Sequence, residues 1–215
     1  RLQAALADRE MLLREVHHRT KNNLQLVVSM LNLQKHILAT DSAREALDQA
    51  RSRVHSMAML HEHLHRSPDV GQLKLGEYLE AVVAHATGLA RSGLSLTSTT
   101  ESDGCLADLE QGVHIGLIVN ELVTNAVKHA FAERDHGTIS LTVRAGEDEV
   151  GIYVEDDGKG MAPGEWSDQS SMGMQIIHAL TDQIGGTMSV EGDHGTRWLL
   201  KVPQPSTTAI PDRLP

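Results

Sequence analysis

The segment from Ala43 to Leu64 constrains the chain most. Ala43, Leu47, Ala50, Val54, Met57, His61 and Leu64 follow a 4-3-4-3-4-3 rhythm uninterrupted by Gly or Pro, the spacing of a helix with a coiled-coil-like seam. Residues 2 to 38 also lack Gly and Pro. There Leu2, Leu6, Leu13, Val16, Leu24, Val27, Leu31 and Leu38 recur at 3, 4 or 7-residue steps or their sums, which predicts a helix of about ten turns. The Asp and Ser of "ATDSA" (39 to 43) are placed to cap the second helix, and "RSPDVGQ" (66 to 72) ends it. Two antiparallel helices with one seam cannot bury that stripe alone. The expectation is a helical hairpin that pairs with a second copy into a dimeric four-helix bundle.

Beyond residue 72 the pattern changes. A helix near 76 to 90 precedes the polar alternating segment "LSLTSTT" and a helix near 109 to 131. The strand-like runs "GTISLTVRAG" and "EVGIYVEDDG" form a hairpin. A Gly-, Pro- and Ser-rich loop (158 to 171), a helix near 173 to 184 and the strands "GTMSVEG" and "GTRWLLKVP" follow. Helices interleaved with antiparallel hairpins predict an α/β two-layer sandwich rather than a doubly wound parallel sheet. The Pro-rich tail from 204 to 215 reads as disordered.

With 2% aromatics among 40% hydrophobic residues, the core must be aliphatic. The 29 Asp+Glu against 19 Lys+Arg give a formal charge of -10 with no long basic run, which argues against a nucleic-acid partner. The single cysteine, Cys105, excludes an internal disulfide framework and fits a reducing, cytoplasmic compartment. No apolar stretch approaches the ~18 residues of a membrane span, so direct membrane contact is not expected. The start at Arg1 without an initiator Met reads as a fragment, with any sensor lying upstream.

Three clusters carry chemistry. "VNELVTNAVKHA" (119 to 130) sets Asn120, Glu121, Asn125, Lys128 and His129 on one helix; at about 100° per residue, Glu121, Asn125, Lys128 and His129 share a face. "VEDDGKGM" (154 to 161) ends an apolar strand in two carboxylates and two glycines, which let backbone approach a ligand closely. Gly158, Gly160 and Gly164 miss the dinucleotide-binding spacing. "SSMGMQII" (170 to 177) puts Gly173 at a helix N-terminus, suited to phosphate oxygens. For any one residue a plain solvated or packing role would prevail; the order of the three clusters is what points to a nucleotide.

In that order they resemble the N, G1 and G2 boxes of the histidine-kinase, gyrase and MutL-type (GHKL) ATPases. The opening "LLREVHHRTKNNLQLVVSMLNLQ" resembles the phosphoacceptor box of the HisKA-2/HWE-type sensor histidine kinases. The resemblance covers roughly residues 10 to 203. It implies ATP and Mg²⁺ as cofactors, Asn125 as the Mg²⁺ ligand, Lys128 near the phosphates and Asp156 as acceptor for the adenine amino group. It also implies that Gly158, Gly160 and Gly173 shape the pocket and lid, and it extends the nucleotide-binding set to Asn120, His129 and Thr196. Glu121 matches the acid that activates water in the gyrase and MutL branches. Two positions depart from the pattern: Asp157 stands where many relatives carry Asn, and "SSMG" is poorer in glycine than many lids.

In "REVHHRTKNN" (14 to 23) the apolar stripe of the first helix is centred nearly opposite His18, while His17 lies on its shoulder. His18 is therefore the expected phosphoacceptor. Glu15, at i-3, is placed to hold the second ring nitrogen, and Arg19 and Lys21 stand close enough to meet a phosphate. The expected reading is a sensor histidine kinase with a dimerisation and phosphoacceptor domain over 1 to 67 and an ATP-binding domain over 73 to 203. The implied partners are a second copy, an upstream sensor and a response-regulator receiver domain. Three alternatives stay open: an ATPase without a phosphoacceptor, a binding-only module, and a zinc metalloprotease. The last would use "HEHLH" (61 to 65), which matches H-E-x-x-H although His61 falls in the helical seam.

Overall fold

The computed structural model describes residues 15, 16, 19, 20, 22–32, 40–66, 72–161, 172–192 and 194–204. The expectations for His17, His18 and Lys21, for the helix before residue 15, for the loop over 162–171 and for the tail beyond 204 lie outside those residues.

The first helix, α1, is described at residues 15, 16, 19, 20 and 22–32, and α2 runs over Asp41–Arg66. The N-cap of α2 is Thr40 rather than the expected Asp41 or Ser42. Its Oγ1 accepts from the Ala43 backbone N–H at 3.3 Å, because residues 41 and 42 already belong to the first helical turn. Arg51 Nη1 donates to Asn32 Oδ1 at 2.9 Å and ties α2 to α1.

The chain continues through β1 (Leu73–Lys74), α3 (Leu75–Thr87), β2 (Ser95–Ser102), β3 (Leu106–Ala107) and α4 (Leu109–Asn125). A π-helical turn, Ala126–Ala130, extends α4 before β4 (His136–Ala145), β5 (Glu149–Asp156), α5 (Met172–Gln183), β6 (Thr187–Glu191) and β7 (Thr196–Pro203). The five-stranded sheet has the order β2-β4-β5-β7-β6. Ile139, Leu141 and Val143 of β4, Val150, Ile152 and Val154 of β5 and Trp198, Leu200 and Val202 of β7 alternate inward, under α3, α4 and α5. This is the expected two-layer sandwich, with one difference: "LSLTSTT" is β2, an edge strand paired in parallel with β4 from Ser95↔His136 to Ser102↔Val143. Its hydroxyl-rich alternation reflects an edge strand that is mostly exposed.

α2 is packed onto this sandwich, through a face other than its apolar seam. Ala43, Leu47, Ala50, Val54, Met57 and His61 are only half-buried. Among the described residues of α2 the buried ones are Ser52, Ser56 and Leu60, one turn apart, together with Ala58. Small serines let α3 and α4 come close. The Tyr78 hydroxyl donates to the Ser56 carbonyl at 3.2 Å, and its ring lies where a Cβ on Gly116 would stand. Leu60 and Leu73 fill the space that Gly112 leaves open.

Between α2 and α3 the rings of His55 and His85 stack with centroids 3.8 Å apart. Burial lowers the pKa of both. His85 falls to about 4, pushed further by His55 and Arg51, while Glu62 partly opposes the shift at His55. The folded state thus binds fewer protons than the unfolded chain between pH 6.5 and about 4, so this contact stabilises fully above 6.5 and is lost as pH falls through that window. His85→Gln is expected to flatten the wild-type decline in thermal midpoint over that range. Parallel pH profiles of the two proteins would exclude the pair as its source.

Candidate nucleotide site

Asp108 starts α4 by accepting from the Gln111 N–H at 2.8 Å, and the helix delivers Glu121 and Asn125 one turn apart. The start of α5 meets them there. A Cβ on Gly173 would stand 3.2 Å from Glu121 Oε2 and 3.8 Å from the Asn125 amide nitrogen, so this backbone lies close to both side chains and a larger residue would crowd the Glu121 carboxylate.

After Asn125 the π turn breaks the 100° spacing from which a common face was expected. Lys128 is half-buried and His129 exposed, whereas Glu121 is buried. The C-terminal end of this turn holds the glycine-bearing segment after β5. The Lys159 N–H donates to the Ala130 carbonyl at 3.0 Å, and Gly158 passes where a Cβ would overlap Ala130. Gly160 adopts φ +78 and packs against the Gly192 carbonyl.

Asp156 closes the arrangement. Its Oδ1 accepts from the Gly158 N–H at 2.9 Å, and Thr196, its register partner on β7, contributes further hydrogen bonds. Burial pushes the Asp156 carboxyl pKa up, opposed by these donors. Gly195, at φ +87, is pressed against the Asp156 carbonyl where any Cβ would overlap it. A desolvated carboxylate with acceptor capacity left, beside backbone pinned by glycines, fits an exocyclic amine. A groove of about 340 Å³ opens beside it, lined by Glu155, Asp156, Glu191, His194 and Arg197, with Arg197 paired to Glu155 at 3.0 Å.

Asp157, where many relatives carry Asn, turns the other way. Its Oδ1 accepts from the Thr138 N–H at 2.7 Å, and Arg134 donates to its Oδ2 at 3.4 Å. Asn120 does not join the cluster: its Oδ1 accepts from Ser52 Oγ of α2 at 2.9 Å. Glu15 accepts from Arg19 Nε at 2.6 Å, two expected site residues satisfying each other.

Two family models match the chain. One, described as "Histidine kinase", spans residues 15–90; the other, described as "Histidine kinase-, DNA gyrase B-, and HSP90-like ATPase", spans residues 110–206. The chain belongs to the HisKA-2/HWE-type histidine kinases. The sensor histidine kinase PdtaS of Mycolicibacterium smegmatis is 29% identical over 93% of this chain and 41% of its own length; PdtaS of Mycobacterium tuberculosis H37Rv is 30% identical over 93% and 40%. The chain thus spans about two-fifths of these relatives. The blue-light activated histidine kinase EL346 of Erythrobacter litoralis matches with a TM-score of 0.67 at 26% identity, over 90% of this chain and 59% of that one. Its isolated kinase domain matches at 0.66 and 23%, over 92% and 94%, a likeness of fold. The match to the ATPase family places Asn125, Asp156, Gly158, Gly160 and Gly173 within an ATPase domain.

Among the described residues no group of three His, Cys, Asp or Glu side chains is arranged to hold a metal, and no helix is long and apolar enough to cross a membrane. Gly195 and Arg53, the latter paired with Glu121, were not singled out from sequence. Gly195 looks like an ordinary turn glycine before a strand, and Arg53 like one of several solvated cations on α2.

Asp156→Asn is expected to abolish ATP binding, measured by calorimetry, since an amide can present a donor to the adenine amine. Unchanged affinity would overturn the assignment.

Proposed function

We propose that the chain is the transmitter part of a bacterial cytoplasmic sensor histidine kinase, with the phosphoacceptor hairpin over 1 to 67 and the ATP-binding domain over 73 to 203. It transfers the ATP γ-phosphoryl group to His18 and then to an aspartate of a response-regulator receiver domain. The observation that carries this reading is the convergence of the three boxes. Glu121 and Asn125 meet Gly173, Ala130 meets Gly158 and Lys159, and Asp156 meets Thr196 and Gly195.

In this reading Asp156 and Thr196 orient the adenine, and Gly158 and Gly160 shape its approach. Lys128 and the Gly173 end of α5 meet the phosphates. The Asn125 amide oxygen is a hard-cation ligand, so it would hold Mg²⁺, which supplies charge neutralisation on the phosphates. A neutral ring nitrogen of His18 bonds to the γ-phosphorus as the bond to the bridging oxygen breaks and ADP leaves with that electron pair. The proton stays on the other ring nitrogen, where Glu15 stabilises the developing charge once Arg19 shares or releases it.

A homodimer belongs to this reading. Leu26 and Met30 of α1 are 57% and 53% exposed, and the α2 seam is half-buried, so apolar surface on the hairpin is left for a second copy. A sensor domain upstream and a receiver-domain partner belong to the same reading.

His18→Gln is expected to eliminate acid-labile autophosphorylation while ATP binding persists, and His17→Gln to leave substantial activity. Mass spectrometry at neutral pH that finds the phosphate on His17 would overturn the choice of acceptor. Val54→Asp should shift the dimer toward monomer in light scattering. A wild-type mass near 23.4 kDa at working concentration would refute the dimer.

A further inference from the structure

Glu121 is held by α2. Arg53 Nε donates to its Oε1 at 2.7 Å and Nη2 to its Oε2 at 2.9 Å, with the two side chains only 17% and 5% exposed. Beside this fork, Arg53 Nη1 reaches the Met172 sulfur at 4.0 Å, and Glu121 Oε2 lies against Gly173. One carboxylate is thus shared by the hairpin helix, the helix that carries Asn125 and the start of α5.

Its position gives that carboxylate a chemical option. It stands one turn from the Asn125 amide, where it could accept a proton from a water attacking the γ-phosphorus. Hydrolysis would form the water oxygen to phosphorus bond and break the bridging bond. ADP would leave with that electron pair, and the water proton would pass to Glu121. Neutral imidazole needs no such base, because it attacks through a lone pair and keeps its proton. Water needs the base and imidazole does not, so the group that occupies Glu121 chooses between them.

We propose that Arg53 is a positioning residue that sets which nucleophile receives the γ-phosphoryl group. With α2 docked, both Glu121 oxygens are engaged by the guanidinium, and water is denied its base. The hairpin that carries the acceptor histidine thereby also suppresses hydrolysis in the domain it docks on. The inference rests on the kinase reading above and adds to it a control over hydrolysis.

The test compares the intact wild-type chain with Arg53→Gln, Arg53→Lys and the double variant Arg53→Gln/Glu121→Gln. Phosphate release and acid-labile phosphohistidine are read from the same reactions, ATP affinity by calorimetry, and α2 docking by amide hydrogen exchange. Arg53→Gln is expected to raise the ratio of phosphate released to phosphohistidine about a hundredfold, the lower end of the range a general base supplies. KM for ATP should change little, and the α2 amides should exchange faster. Arg53→Lys, which keeps the charge but loses the fork, should give an intermediate ratio, and it also serves if the Gln variant fails to fold. The double variant should return phosphate release to the wild-type level. A ratio unchanged in both single variants despite faster α2 exchange would overturn the proposal, as would extra release that survives Glu121→Gln. A wild-type protein that binds no ATP would fail the kinase reading itself, and this proposal with it.

Discussion

A buried ion pair between α2 and α4 is the constraint on which the site's arrangement depends. Arg53 and Glu121 are both largely withdrawn from water, so removing either partner would leave an uncompensated charge, a loss of roughly 3–5 kcal/mol in comparable cases. Such a pair contributes little net stability over a hydrophobic replacement, but it tolerates few alternative geometries. Its two-point fork fixes the rotation of α2 on α4, and the adjacent Ser52 to Asn120 hydrogen bond fixes the same register one residue away. With α2 set, Tyr78 can pass between Ser56 and Gly116, and Leu60 can enter the space over Gly112.

The sequence displayed what depends on period and composition. The inward alternation of β4, β5 and β7, the 4-3 rhythm of α2 and the three boxes in order were all legible, because each is written in residues adjacent in sequence. The docking face of α2 was not. Ser52, Ser56 and Leu60 are spaced one turn apart, but two of the three are polar, so a search for apolar stripes selects the seam of Ala43, Leu47 and Val54 instead. The burial of those serines is decided by Tyr78 and Asn120, far along the chain. β2 hid for a related reason. A mostly exposed edge strand shows no apolar alternation, and its parallel partner lies about 40 residues on.

The face expected for Glu121, Asn125, Lys128 and His129 was legible only in part, for a local reason. That common face requires constant helical pitch through residue 130, whereas the turn Ala126–Ala130 is π-helical. The wider turn ends at the Ala130 carbonyl, which accepts from the Lys159 N–H. The segment after β5 is thereby secured to the end of the helix that carries Asn125. Asp157 belongs to the same fastening, since its carboxylate binds the first residues of β4 and leaves Asp156 alone to face inward. An Asn at that position could accept the Thr138 N–H equally well but would lose the charge that Arg134 meets. The acid at 157 is therefore explained by its structural neighbours and needs no role in binding.

The chemistry of the α2 contact also bears on whether the hairpin can move. A face built from Leu60, Ala58 and further aliphatic residues would bury its area irreversibly on the time scale of turnover. This one relies on two serines, one tyrosine hydroxyl, one ion pair and a stacked histidine pair whose neutrality depends on staying desolvated. Water can replace each of those polar partners when the helix leaves, while Leu60 and Ala58 would lose their apolar cover. In the proposed reading an acceptor histidine on the hairpin visits both a nucleotide and a receiver domain, which one fixed geometry would not permit. A polar, geometrically exacting contact meets both needs. It aligns the hairpin closely while docked, through partners that water can replace on release.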